Sequence, residues 1–260
     1  MAIRNVQVTR YVTALREGGS LPAIAEADDG FLYVIKFRGA GQGVRALIAE
    51  QIGAMVAQQL GLKVPEFVFA HLDEAFGRTE PDEEIQDLLK ASTGLNAALH
   101  YLSGAISYDP ATHSIDAELA SKIVWLDSFL LNMDRTVKNT NMLMWNKELW
   151  LIDHGAALYF HHNWSMAAGK SKGSFPMIKN HVLLPYATQL SSINENCKAS
   201  LNDSFLQKIV QEIPETWLCN DPDFETVEAH RAVYTNFLTE RLAYADLFVN
   251  EAEHARAALI

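Results

Sequence analysis

The sequence predicts an α+β fold in two lobes: a small β-rich N-terminal lobe with one key helix over residues 1–102, and a larger, mostly helical C-terminal lobe over residues 103–260. Three observations predict it. Short strand-like runs alternate with glycine- and aspartate-marked turns up to residue 37. Apolar residues then recur at helical spacing in 44–60 and again in 115–132. A single short hairpin pattern, 142–152, interrupts the helical second half.

In the first lobe, residues 9–15 have strand composition, Gly18-Gly19-Ser20 is a turn, 21–27 returns, and Asp28-Asp29-Gly30 is a second turn. Residues 31–37 are aromatic and β-branched, which completes a three-stranded meander. A glycine-rich loop, 39–43, leads into the helix over 44–60, carried by Leu47, Ile48, Ile52, Met55, Val56 and Leu60, with Gly61 as its C-cap. Residues 64–72 read as a fourth strand, the acidic stretch 73–93 as a surface insertion or short helix, and 96–102 as a fifth strand. In the second lobe the amphipathic helix over 115–132 is followed by a polar loop, 133–140. Two apolar runs, 142–145 and 148–152, are joined by Asn146-Lys147, and the second ends on Asp153-His154-Gly155. Helices are expected over 205–213 and 226–258, the last in one or two pieces, and the join of the two lobes would form a cleft.

Composition narrows the function classes. Nearly half of the 260 residues are hydrophobic, enough for a sizeable core. The longest apolar stretch, 117–133, is broken by Glu, Lys and Asp, short of the roughly 18 uncharged residues of a membrane span. A net charge of -11 argues against direct nucleic-acid binding, which draws on clustered cations, but leaves room for a mononucleotide held by one or two cations and a metal ion. Two cysteines, Cys197 and Cys219, and no apolar signal core fit a reducing cytoplasm.

The residues that carry chemistry stand in a telling order. Lys36 lies near the end of the third strand, and its ammonium can reach phosphates. Glu50 sits among apolar neighbours on the next helix, where a carboxylate is costly unless a cation pairs with it, and Lys36 is the natural partner. Asp134 and Asn139 stand five apart just after a long helix, and Asp153 ends an apolar strand where it must face something polar. Arg135 can orient Asp134 or a neighbouring carboxylate. The backbone amides of Gly18, Gly19 and Ser20 can cradle phosphates, and Tyr101 and Leu102, at the end of the first lobe, join the nucleotide-binding set. Glycine loop, strand lysine, helix glutamate, Asp-x-x-x-x-Asn loop, hairpin and metal-binding Asp follow one another as in a protein-kinase-like fold, in which catalysis is mostly positioning and charge neutralisation.

Other signals point elsewhere. Gly39-Ala40-Gly41-Gln42-Gly43 is not a dinucleotide fingerprint, because its third glycine comes one residue early. His161 and His162, adjacent on an expected extended segment, point to opposite faces and lack further zinc ligands. Residues 170–174 read as a mobile loop, or as a phosphorylation or substrate-contact segment, and Val233, Phe237, Leu242 and Leu247 as a core stripe.

Four stretches together resemble the HipA-like kinase family, in its short, single-kinase-domain bacterial branch. They are Tyr33-Val34-Ile35-Lys36-Phe37, the Glu50 helix ending in Leu62-Lys63-Val64-Pro65-Glu66, Met133-Asp134-Arg135-Thr136-Val137-Lys138-Asn139, and Leu151-Ile152-Asp153-His154-Gly155. The resemblance implies Asp134 as catalytic carboxylate, Asn139 and Asp153 as Mg2+ ligands and Lys36 on the phosphates of ATP. Thr136 stands where the family usually has His. The leading expectation is a serine/threonine protein kinase; a small-molecule kinase on the same fold, or a nucleotide- or partner-binding pseudokinase, are the alternatives.

Overall fold

The computed structural model describes residues 3–15, 21–76 and 81–259, so the expected phosphate loop at Gly18, Gly19 and Ser20 lies outside the described residues. The chain divides into two compact units, Met1–Gln51 with Pro65–Gly104, and Ile52–Val64 with Ala105–Ile260.

In the first unit, β1 (Arg4–Ala14), β2 (Ala23–Ala27), β3 (Leu32–Lys36), β4 (Phe67–Leu72) and β5 (Gly94–His100) close into a barrel in the order β1-β2-β3-β5-β4. β1 and β4 pair in parallel, with Val6 opposite Ala70, and the other neighbours are antiparallel. β1 starts well before the expected 9–15, because Val6 and Val8 alternate into the core. A five-stranded barrel has little interior room. Alanines 23, 25, 27, 70 and 98 therefore line it beside Tyr33, Ile35 and Phe37. β5 sits two residues earlier than expected, so Tyr101 and Leu102 follow the strand; the Tyr101 N–H donates to the Leu32 carbonyl at 2.8 Å, and Leu102 is buried.

Helix α1 (Gly43–Gln59) ends as the Gly61 signal requires. Gly61 is left-handed at φ 76°, its N–H reaches the Gln58 carbonyl and the Leu62 N–H the Ala57 carbonyl, both at 3.0 Å. The acidic stretch resolves into α2 (Glu83–Ala91), started by Asp82, whose side chain accepts from the N–H groups of Glu84 and Ile85. Leu89, Ile85 and Leu88 pack it onto the barrel core.

In the second unit, a two-residue strand, β6 (Ile106–Ser107), extends the expected hairpin β7 (Met142–Trp145) and β8 (Glu148–Leu151) into a three-stranded sheet. Asn146 and Lys147 at its tip are both left-handed, as a two-residue hairpin turn demands. The central helix α3 (Ala117–Leu130) is capped by Asp116 and is buried along most of its length. Trp125 stacks on Phe129 at 5.3 Å and meets Phe248 edge-on at 5.4 Å. α5 (Leu190–Ser200) and α9 (Ala245–Ala257) pack on α3, and α4 (Ala167–Ser171), α6 (Asp203–Gln211) and α7 (Glu215–Leu218) pack on α8 (Val227–Ala243). The expected C-terminal helix is thus in two pieces. The break at Tyr244 restarts the helical phase, so Phe237 and Leu242 are buried while Leu247 is 42% exposed and leaves the expected core stripe. No helix among the described residues is long and apolar enough to cross a membrane.

Candidate active site

In the first unit Lys36 and Glu50 meet. β3 alternates so that Tyr33 and Ile35 face the barrel core and Lys36 faces away from it. Its Nζ lies 2.7 Å from Oε2 of the fully buried Glu50 on α1. The glutamate holds the ammonium in one place, and the lysine supplies the charge that makes the carboxylate tolerable inside.

The second unit carries Asp134, Asn139 and Asp153. The loop from Asp134 to Asn139 is a tight turn closed by Thr136, whose N–H donates to the Asn139 carbonyl at 2.9 Å and whose hydroxyl accepts from the Asn139 N–H at 3.3 Å. Asn139 Nδ2 donates to Asp134 Oδ2 at 2.8 Å. A carboxylate only accepts, so the amide must turn its nitrogen to Asp134, which leaves Asn139 Oδ1 directed elsewhere. Asp153 stands two residues beyond β8 with φ 57°, a left-handed conformation that costs energy for a side-chain-bearing residue. Leu131, Asn141 and Leu158 are left-handed too, as are Asn146 and Lys147 at the hairpin tip.

Beneath the loop lies a buried polar centre on Asp127 of α3. Its Oδ1 accepts from Asn132 Nδ2 at 2.9 Å, and its Oδ2 from Arg135 Nε at 2.6 Å and His181 Nε2 at 2.8 Å. His181 Nδ1 accepts the Leu183 N–H at 3.0 Å, which places the ring proton on Nε2 and keeps the imidazole neutral. Burial alone would push the Asp127 carboxyl up, but the Arg135 charge and the His181 hydrogen bond outweigh it and hold the group well below the usual carboxylate range. Burial also lowers His181 below its ordinary 6.5, against the opposing pull of Asp127. Arg135 is therefore turned inward: it touches Asp127 and the Asn141 carbonyl, and among the described residues it makes no ion pair with Asp134.

The profile of the HipA-like kinase family matches residues 8–247. The chain belongs to the HipA-like kinase family. Among solved structures, a Helicobacter pylori proinflammatory kinase, CtkA, aligns over 99% of this chain and 98% of its own at 13% identity, with a TM-score of 0.59. That likeness shows a shared kinase fold of α+β type. The Golgi casein kinase aligns over 97% of this chain and 72% of its own at 12% identity and a TM-score of 0.46. Its Mn/ADP-bound form aligns over 99% and 75%, at 12% identity and 0.49. No curated protein matches the chain.

Several features of this HipA-like kinase escaped the sequence reading. Asn141, directly before β7, donates from Nδ2 to Asp134 Oδ2 at 3.1 Å. Asp127 and His181, 54 residues apart, form the centre under the loop; the one available signal was a carboxylate inside the apolar run Trp125-Leu126-Asp127. Residues 170–171, expected in a loop, close α4, and the buried Arg241 donates to the carbonyls of Lys170 at 2.9 Å, Gly173, and Ser128 at 2.8 Å. His161 and His162 share one 3-10 turn, not an extended segment, and His161 Nδ1 pairs with the Tyr234 hydroxyl at 3.2 Å.

A glycine also matters to this HipA-like kinase. Gly53 lies inside α1, where glycine costs about 1 kcal/mol relative to alanine. The reason is the residue after Asp153: a Cβ on Gly53 would lie 2.4 Å from the Cβ of His154. Gly53→Ala is expected to destabilise the fold by about 1–3 kcal/mol through overpacking, and to lower activity by displacing the Asp153–His154 turn. Thermal melting checks it, and an unchanged melting temperature would show that the turn yields freely.

Proposed function

We propose that this kinase is an ATP- and magnesium-dependent phosphotransferase whose acceptor is a serine or threonine hydroxyl of a protein. The observation that carries the reading is the asymmetric carboxylate of Asp134. Its Oδ2 accepts from two amides, while its Oδ1 accepts no hydrogen bond from any described residue. Such a group is ready to take one further donor, an acceptor hydroxyl, and to receive its proton late in transfer.

Asn139 Oδ1 and the Asp153 carboxylate are hard oxygen donors of the kind Mg2+ takes alongside substrate phosphates, so the residues fit the ion. Held by Asn139 and Asp153, magnesium would supply positive charge to offset that of the nucleotide phosphates. Lys36, held by Glu50, adds a fixed positive charge for the nucleotide phosphates. The tip of the Asp134 loop is open, with Val137 73% exposed, which suits an acceptor that arrives on a macromolecule and brings its own walls.

MgATP is expected to raise the melting temperature, since a ligand at 100 times its Kd adds about 2.7 kcal/mol. Asp153→Asn should remove most of the magnesium-dependent part of that shift. An unchanged melting temperature at millimolar MgATP would favour a non-nucleotide role. Incubation with labelled ATP and magnesium, followed by mass spectrometry of the protein, then reads whether a Ser or Thr side chain takes the phosphoryl group.

A further inference from the structure

We propose that Asn141 is a positioning residue for phosphotransfer: it fixes the orientation of the Asp134 carboxylate and ties that orientation to the strand end that carries Asp153. The inference rests on the reading of Asp134 as the carboxylate that orients the acceptor.

Asn141 is buried and left-handed at φ 47°, a conformation that asparagine adopts at lower cost than most residues. Its polar groups point to three parts of the site. The side-chain Nδ2 donates to Asp134 Oδ2 at 3.1 Å. The carbonyl accepts from the N–H of Ile152, the residue before Asp153, at 3.0 Å. The same carbonyl accepts from Arg135 Nη1, whose Nε is bound to Asp127. One residue thus joins the Asp134 carboxylate, the approach to Asp153 and the buried ion pair under the loop.

Two amides share Asp134 Oδ2, but they differ in fixity. Asn139 is exposed on the loop, and under the proposed function its other end is engaged with the metal. Asn141 is anchored through its backbone on two sides and is buried, so its amide is the constant partner. With Oδ2 fixed, the carboxyl plane cannot turn freely, and Oδ1 is presented in one direction. Orientation of this kind acts on the transition state more than on bound ATP.

A residue that merely shaped the loop would need only the left-handed backbone, which glycine also supplies. Asn141→Gly keeps φ and both carbonyl hydrogen bonds and deletes the amide alone. Asn141→Asp keeps the shape and sets a carboxylate against Asp134. In the full chain, ADP release is measured with MgATP varied, alongside melting temperature. For Asn141→Gly, kcat is expected to fall about tenfold, the scale of one hydrogen bond to a charged group, with KM for ATP within about twofold of the unaltered protein. For Asn141→Asp the fall is expected to be on the order of 100-fold, since it loses the donor and adds repulsion. The signature is the loss of kcat in Asn141→Gly at unchanged melting temperature and KM, because a purely structural role would lower the melting temperature or leave kcat alone. Unchanged kcat in Asn141→Gly, or greater activity in Asn141→Asp than in Asn141→Gly, overturns the proposal. Asp134→Asn is assayed in parallel as the control for the reading beneath it. If that variant retains turnover, or the unaltered protein releases no ADP, the functional reading falls and this inference with it. If it is inactive while Asn141→Gly matches the unaltered protein, only the role of Asn141 falls.

Discussion

Asp134→Asn is expected to bind ATP with near-normal affinity and to turn over more slowly by a factor on the order of 100 or more, the usual scale for loss of a positioned general base. The substitution keeps the shape of the side chain and removes its charge. Under the proposed function the acceptor proton moves late in a loose phosphoryl-transfer transition state, and the Asp134 carboxylate then acts on that state and contributes little to holding ATP. The geometry adds a second reason. An asparagine that turned its Oδ1 to the amides of Asn139 and Asn141 would present its own NH2 where the Asp134 Oδ1 now stands, offering a donor to a hydroxyl that needs an acceptor. ATP affinity from melting shifts and turnover from ADP release separate the two effects. Full phosphotransfer by the variant would move the catalytic role to another carboxylate.

The largest loss of stability is expected from Asp127→Ala. Removing one partner of a buried ion pair leaves the other charge uncompensated, which costs about 3–5 kcal/mol. Arg135 would be that charge, fully buried, and His181 and Asn132 would lose their acceptor as well. For a unit of this size the melting temperature should fall by roughly 10 °C or more. The pH dependence has a definite sign. His181 has a folded pKa below its ordinary 6.5, so the unfolded chain takes up a proton there that the native state refuses, and its contribution to stability shrinks as pH drops below that value. Asp127, whose folded pKa is depressed below 3.8, adds a contribution that is whole above the ordinary carboxylate range and is lost only in stronger acid. Melting curves from pH 8 to 5 should therefore fall less steeply for His181→Gln than for the unaltered protein. Equal slopes would remove His181 from the acid response.

Periodicity made the regular parts legible. The run around Tyr33 and Ile35 buries alternate residues, which is what a period of two encodes, whereas α1 and α3 are buried on nearly all sides through their middles and were legible as long apolar runs, not as the one-sided helix expected for 115–132. β6 was invisible because two exposed residues, Ile106 and Ser107, have no period; β7 supplies their pairing. The phase of the last helix was lost at Tyr244 for a similar reason, since a break resets which positions face inward. Among the candidate residues, the contact between Asp134 and Asn139 follows from a local turn, and that of Lys36 with Glu50 from the cost of a lone buried carboxylate. Asn141 and His181 did not stand out. Their significance lies in a left-handed backbone and in a partner 54 residues away, and neither leaves a spacing in the sequence.

The parallel seam between β1 and β4 sets an order of events while the chain is being made. Gln7 cannot meet His71 until 64 further residues have been added, a wait of several seconds at about 5–20 residues per second. Throughout that time the start of β1 is an open edge, able to pair with any other extended segment. Arg4 stands at that edge. Its charge discourages early strand pairing with a stranger, and when β4 arrives it finds Glu66 at 2.7 Å and Asp29 at 3.1 Å, so the residue that guards the unfinished sheet becomes the clasp of the finished one.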